Sequence, residues 1–296
     1  MLPLSLGRRA SKRPAGVKRA VCRWLAYIGT PLRLEELLYK PQHSLIDQSL
    51  HAQKGAGTTN GDGVGVGWYG EGAAPGLYRG IEPAWGDRNL REIAGQVKSG
   101  LFLAHVRAST GAAVQQTNCH PFRFGKWLFM HNGEIEHFHS LKRELVLAVD
   151  ASLYADIAGS TDSELLFFLA LTFGLEHDAP GAVERAVGYV ERVGHAHGVT
   201  APVRMTVGVS DGDRVWAFRY ASAGRPASLF HSVDPSTLRE QYPENPILHE
   251  LSDGSRLVVS EPFAGLAGAW REAPPSSCLV IGHGDDQILP FAPRTP

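Results

Sequence analysis

The sequence predicts a layered α/β sandwich built as one domain. Three observations carry that reading. Apolar runs of strand length fall into two groups along the chain, with segments of helical spacing between and outside them. The 296 residues are 43% hydrophobic and 20% charged, which suits one large core with at most a modest insertion. From residue 22 to residue 296 no internal repeat and no linker divides the chain. Periodicity by itself does not order the layers.

Residues 1–21 read as a disordered extension. Pro3, Gly7, Pro14 and Gly16 interrupt it, and Arg8, Arg9, Lys12, Arg13, Lys18 and Arg19 give it +6 with no acid. Such a segment is a flexible tail, a basic arm, or residues that are not part of the working protein. Ordered sequence begins at Cys22. RWLAYIG (23–29) alternates like a strand, and LEELLYK (34–40) and LIDQSLHAQ (45–53) have helical spacing. GVGVGWY (63–69) is a glycine-rich strand whose small residues let another backbone come close. LREIAGQVKSG (90–100) predicts an amphipathic helix closed by Gly100. LFLAHVRAS (101–109) and WLFMHNG (127–133) are strands, the second ending in an Asn-Gly turn.

STDSELLFFLALTFG (160–174) carries a helix start signal, with Thr161 as cap and Glu164 three residues on. AVERAVGYVERVGHAHG (182–198) is a second long helix. VRMTVGVSDGDRVWAFRY (203–220) reads as a hairpin turning at Asp211-Gly212. RLVVSEPF (256–263) is a strand and CLVIGHGDDQILPF (278–291) a hairpin. Composition points to 71–75 and 222–226 as mobile loops that could close over a site.

Several function classes are excluded. Net charge is −1, and the first 20 residues hold +6, which leaves −7 for the rest, so the main body has no nucleic-acid signature. No apolar run reaches the length of a membrane span, and the first 20 residues lack the apolar stretch of a secretory signal. Three widely spaced cysteines make no disulfide framework, and a reducing cytoplasm is the expected setting. GVGWYG (65–70) matches a dinucleotide fingerprint, but EGAAPGLYRG follows and cannot open the helix that such a site needs. The close pairs His137/His139 and His195/His197 are two apart and do not share a helix face, so they read as surface histidines. No metal or organic cofactor is expected, since H-E-x-x-H and C-x-x-C are absent, and no G-x-S-x-G marks a serine hydrolase.

The remaining chemistry is a thiol. Cys22, Cys119 and Cys278 are the three cysteines, and Cys22 stands where ordered sequence begins. A thiol attacks only as thiolate and so needs a base. An N-terminal residue carries its own, an α-amine with a pKa of about 7.7–8.0. That device requires residue 22 to be the first residue of the working chain. Val21 read from a GTG start codon, followed by loss of the initiator methionine, would expose Cys22; so would cleavage of a propeptide. Spacing alone leaves Cys22 as either a nucleophile or a buried core thiol.

CRWLAYIGTP…LLYKPQHSLIDQSLHA (22–52) resembles the start of stand-alone class II glutamine amidotransferase-like proteins of the Ntn-hydrolase superfamily. The resemblance continues in order through GDGVGVGWY (61–69), AHVRAST (104–110), NCHPF (118–122), FMHNGEI (129–135), STDSE (160–164) and VVSEPF (258–263). It implies a four-layer αββα sandwich with two mostly antiparallel sheets over 22–296. It implies Cys22 as nucleophile, and Asn132 and Gly133 as oxyanion hole. It implies Arg107, helped by Thr110, as the grip on the substrate's α-carboxylate, and Asp162 as partner of its α-ammonium. A guanidinium fork suits a carboxylate. Read without the resemblance, Asp162 is an ordinary first-turn aspartate on the helix dipole.

Departures from the pattern bear on specificity. Some relatives with a fused synthase have Trp after this arginine and His-Gly after this threonine, where Ala108 and Gly111 stand here. No second domain to receive ammonia is expected, since the roughly 100 residues after the glutaminase-like core read as strands and short loops that complete the same sandwich. The expected reaction is therefore hydrolysis of glutamine or another γ-glutamyl compound, including those of the ergothioneine-biosynthesis type. The alternative is a non-hydrolytic or ammonia-delivering glutaminase-like subunit for a partner synthase. Expected partners are a small γ-glutamyl molecule and either a synthase or further copies of the chain; neither nucleic acid nor membrane is expected.

Overall fold

The structure, a computed structural model, describes residues 22–51, 59–108, 112–282, 284 and 286–296. The extension 1–21 and Thr110 lie outside the described residues. The chain begins with β1 (Arg23–Arg33), α1 (Glu35–Leu38), α2 (Leu45–Leu50), β2 (Val64–Trp68) and β3 (Gly76–Gly80). It continues through α3 (Arg88–Gln96), β4 (Lys98–Val106), β5 (Phe122–Phe124), β6 (Trp127–Ile135), α4 (Phe138–Leu147), α5 (Asp162–Thr172) and α6 (Ala179–Ala196). Then come β7 (Val203–Ser210), β8 (Val215–Ala221), β9 (Phe230–Ser232), α7 (Pro235–Gln241) and α8 (Pro246–Glu250). It closes with β10 (Arg256–Val259), β11 (Trp270–Glu272), β12 (Ser277–Ile281) and β13 (Gln287–Pro290).

The strands form two sheets, ordered β11-β9-β10-β1-β4-β2-β3 and β13-β12-β8-β7-β6-β5. Every pairing among the described residues is antiparallel. Side-chain alternation sets the layering. Leu25 and Tyr27 of β1 face a core shared with α1, α2, α3, α7 and α8, while Trp24 and Ala26 face the opposite sheet. On β6, Phe129 faces a core with α4, α5 and α6, while Leu128 and Met130 meet Trp24 and Leu103 between the sheets. Each central strand is therefore apolar on both faces, and the layers run helix, sheet, sheet, helix. The expected four-layer αββα sandwich with two antiparallel sheets is what the chain forms. No helix among the described residues is long and apolar enough to cross a membrane.

Local expectations hold where a local group decides them. Thr161 caps α5, its Oγ1 accepting the Glu164 N–H at 3.1 Å. The Glu164 carboxylate does not close the capping box; it turns to the N–H groups of Ala158 and Gly159 at 3.1 and 2.7 Å. The β7–β8 and β12–β13 hairpins form as expected. Gly65 explains the glycine-rich strand, because a Cβ there would stand 2.1 Å from the carbonyl oxygen of His120.

Three expectations are corrected. Asn132-Gly133 is not a turn: β6 runs through it to Ile135, pairing Asn132 with Thr206 and Gly133 with Met205. Gly100 does not close α3; the helix ends at Gln96, extended Val97 stops it, and Gly100 lies within β4. The last third of the chain is not only strands and loops, since α7 and α8 form there, each with proline at its start behind an Asp234 or Asn245 cap.

Candidate active site

Cys22 precedes β1 directly and is half-buried. Its thiol lies against the backbone of Ala108, donating to that residue's carbonyl at 3.5 Å and accepting its N–H at 3.3 Å. Antiparallel pairing brings them together: β1 and β4 are in register with Arg23 opposite Val106, so the residues beyond each end meet. Burial pushes the thiol's pKa up. The Ala108 N–H, Arg107 and Arg23 pull it down, and Asp162 adds to the upward push. Cys22, Arg107 and Asp162 thus share one electrostatic neighbourhood, although they lie far apart in sequence.

Arg107 follows the end of β4 and is buried, at 4% exposure. Its main chain is held by Gly63, whose carbonyl accepts the Arg107 N–H at 2.8 Å, and by Asp62, whose N–H donates to the Arg107 carbonyl at 3.1 Å. The guanidinium donates to the carbonyls of Asp62 and Ala112, each at 3.4 Å. A guanidinium fork beside a thiol has the charge and the geometry to pair with a carboxylate.

Asn132 is buried on β6, and Gly133 beside it is exposed. A Cβ on Gly133 would stand 2.0 Å from the carbonyl oxygen of Arg204 on β7, so only glycine fits this close crossing. The opposite sheet reaches this point through Trp24, whose indole N–H donates to the Thr206 hydroxyl at 3.0 Å. Thr206 is the residue paired with Asn132, so the head of β1 and the Asn132 pair are tied across the inter-sheet core.

Asp162 opens α5. Its Oδ1 accepts the Ser163 N–H at 2.9 Å and the Ser163 hydroxyl lies 3.3 Å away. Ser163 Oγ is also 2.8 Å from His131 Nδ1, one residue before Asn132. Upstream, the Asn118 carbonyl oxygen accepts the Ser160 N–H at 2.9 Å, and its amide donates to Ala113 at 2.9 Å. The approach to Asp162 is therefore fastened to the loop that follows Arg107.

Sequence reasoning missed several groups. Ala108 acts through its backbone, which has no side-chain signature. Asn118 is a buried polar residue that pins the approach to α5, and Glu164, expected only as a capping partner, pins it through Ala158 and Gly159. His105, His120 and His131 are buried, the first two with ring centroids 4.2 Å apart, whereas His137, His139, His195 and His197 are exposed as expected. Among the described residues no cluster of three His, Cys, Asp or Glu is arranged to hold a metal.

The αββα sandwich of two antiparallel sheets is a fold of the Ntn-hydrolase type. A family profile described as glutamine amidotransferases class-II matches residues 41–230, and the chain belongs to that family, whose members act on C–N amide bonds. It is 33% identical over 293 residues to a probable glutamine amidotransferase, DUG3, of Saccharomyces cerevisiae, covering 88% of this chain and 82% of that protein. It is 27% identical over 236 residues to the γ-glutamyl-hercynylcysteine sulfoxide hydrolase of Mycolicibacterium smegmatis, covering 79% and 93%. A glutamine aminotransferase class-II domain protein from Silicibacter pomeroyi has a similar structure, with TM-score 0.71, 35% identity and coverage of 92% and 100%. The glutamine PRPP amidotransferase of B. subtilis shares the fold at TM-score 0.62 and 15% identity, over 50% of that chain.

Proposed function

We propose that this chain hydrolyses the γ-amide of glutamine or of a γ-glutamyl compound, with Cys22 as nucleophile and first residue of the working chain. The observation that carries the reading is the thiol of Cys22 seated between the N–H and C=O of Ala108, at the head of β1 and next to Arg107. The two relatives described above are named for glutamine and for a γ-glutamyl compound, and a γ-glutamyl amide is common to both.

The α-amine of Cys22 takes the thiol proton as sulfur attacks the γ-carbonyl. Asn132, through its side-chain amide, and Gly133, through its N–H, hold the oxyanion; losing one such donor typically costs about 3 kcal/mol of transition-state stabilisation. The tetrahedral species collapses, the amine leaves with the proton, and a γ-glutamyl thioester remains. Water then attacks with the α-amine again as base, releasing glutamate and the free thiol. Arg107, with Thr110, grips the α-carboxylate and Asp162 the α-ammonium, so that binding supplies the orientation. This chemistry requires no metal or organic cofactor.

The test is hydrolysis by Cys22→Ala, Cys119→Ala and Cys278→Ala, with glutamine and γ-glutamyl peptides as substrates and N-terminal sequencing of the natural protein. Loss in the first variant alone, in a protein that begins at Cys22, is the expected result. A working natural form with Cys22 still joined to Val21 would remove the α-amine from the mechanism. Negligible hydrolysis by the isolated chain, with capture of a synthase or ligase, would favour ammonia delivery instead.

A further inference from the structure

Arg23, the residue after the nucleophile, turns its side chain back on Cys22. Its Nη1 donates to the Cys22 carbonyl at 3.1 Å, while its Nε donates to Glu261 Oε2 at 2.9 Å. The second carboxylate oxygen of Glu261 lies 2.5 Å from His43 Nε2. Gln48 closes the array, its side-chain amide donating to the main-chain carbonyls of His43 at 2.9 Å and Glu261 at 3.1 Å. Arg23 and Glu261 are 3% and 2% exposed. Three segments thereby converge behind the nucleophile: the head of β1, the turn into α2, and the loop after β10.

Stability does not explain this array. Apolar residues of similar volume often replace a buried ion pair without loss, so such a pair is weak evidence for a stabilising role. The backbone carries a cost here as well, because His43 holds a left-handed conformation with φ 57° outside glycine. Geometry is what the array supplies. A planar guanidinium reaches two partners in fixed directions, which a lysine ammonium does not reproduce. The segment is also held from the other side, where the Trp24 N–H donates to Ser260 Oγ at 3.1 Å and the Trp24 carbonyl accepts the Ser260 N–H at 3.0 Å.

We propose that Arg23, Glu261 and His43 are positioning residues for the nucleophile, anchoring the Cys22 carbonyl so that its sulfur and amine keep a reactive geometry. The proposal rests on the reading of Cys22 as nucleophile. None of the three residues is asked to touch the reacting atoms. Their loss therefore lowers turnover without weakening substrate binding. Arg23 also places a buried cation one residue from the thiol, in company with Arg107 and opposed by Asp162.

The experiment measures kcat and KM per folded molecule for Arg23→Lys, Arg23→Met, Glu261→Gln and His43→Gln. It also follows the pH dependence of Cys22 alkylation by iodoacetamide, read by mass spectrometry on the full chain. Arg23→Lys and Glu261→Gln are expected to lose about 10- to 100-fold in kcat with KM within about twofold. His43→Gln keeps a donor at similar reach and retains most of the turnover. Arg23→Met removes the cation and raises the apparent pKa of alkylation by roughly a unit, a shift that Arg23→Lys does not show. Unchanged kcat and an unchanged alkylation profile in the folded variants would overturn the proposal; KM rising in parallel with falling kcat/KM would do so too. If Arg23→Met does not fold, the kcat of Arg23→Lys and Glu261→Gln still decides it. Hydrolysis that survives Cys22→Ala would instead defeat the reading of Cys22, while the alkylation profile still tests the anchor.

Discussion

Asp162 Oδ2 accepts the main-chain N–H of Ile135 at 2.8 Å. This one bond fastens the first residue of α5 to the strand that carries Asn132 and Gly133. The group proposed to bind the substrate's ammonium and the donors proposed for its oxyanion therefore sit on one rigid piece. Their separation is set by the packing of α5 on β6, not by a loop.

Replacing Asp162 by Asn tests that placement. The variant keeps the size but loses the charge, and it turns an amide NH2 toward one of the N–H groups that the carboxylate accepts. KM for glutamine is expected to rise about 10- to 100-fold, the usual worth of a hydrogen bond to a charged group. Glutaramate, which has the amide without the α-amine, should lose far less. Steady-state kinetics on both substrates checks this, and equal losses would show that Asp162 does not read the ammonium.

Gly133→Ala should fail for a steric reason. The added Cβ would meet the Arg204 carbonyl oxygen at 2.0 Å and the Met205 Cα at 2.8 Å, both backbone atoms that cannot swing away. Strand β6 must then move off β7, at a cost of about 1–3 kcal/mol in stability and about 10²–10³ in kcat. Gly254→Ala is the control, since no atom of the described residues lies within 4 Å of its Cβ position. Thermal unfolding and turnover of the two variants should separate cleanly.

Acid should destabilise the fold through its buried histidines. Burial holds His105 down to about 3 and His120 well below its usual range, and it lowers His131 despite Asp162. In the unfolded chain each titrates near about 6.5. Below that pH the unfolded state takes up protons that the folded state refuses. Stability is thus full above about 6.5 and falls toward about 3, by up to about 1.4 kcal/mol per pH unit for each group. Denaturant unfolding between about pH 7.5 and about pH 5 measures the slope. Among the described residues neither buried ring nitrogen of His120 has a hydrogen-bond partner, so His120→Phe should keep the packing and remove one proton from that slope.

Legibility in the sequence followed the range of the deciding interaction. The Thr161 cap, the turn at Asp211-Gly212 and the close approach at Gly65 are written in neighbouring residues, and all three stand in the structure. Asn132-Gly133 carries an equally local turn signal, but pairing with Thr206 and Met205 overrides it. Gly100 misleads in the same way, because Val97 ends the helix earlier and β4 pairing with β1 starts at Lys98. Helices α7 and α8 had readable Asp-Pro and Asn-Pro starts, but they are too short for periodicity to register. The Arg23–Glu261 pair spans 238 residues, and nothing local announces it.

The three thiols should differ in reactivity by their surroundings. Cys119 is buried, with Sγ 3.3 Å from the Gly80 carbonyl and 3.6 Å from that of Gln115, and burial pushes its pKa up against the pull of Arg107 and Arg79. Cys278 is buried on β12, and burial raises it strongly with Glu184 adding to the rise. Both are protonated at neutral pH and closed to solvent, hence inert. Burial raises Cys22 as well, but it is half-buried, receives the Ala108 N–H, and has two arginines working against the rise. Iodoacetamide on the native protein should therefore modify Cys22 first, with loss of activity in step with its labelling, while Cys119 and Cys278 react only after unfolding. Peptide mass spectrometry along the inactivation curve checks this order, and inactivation that tracks Cys119 would move the nucleophile from the head of β1 to the loop before β5.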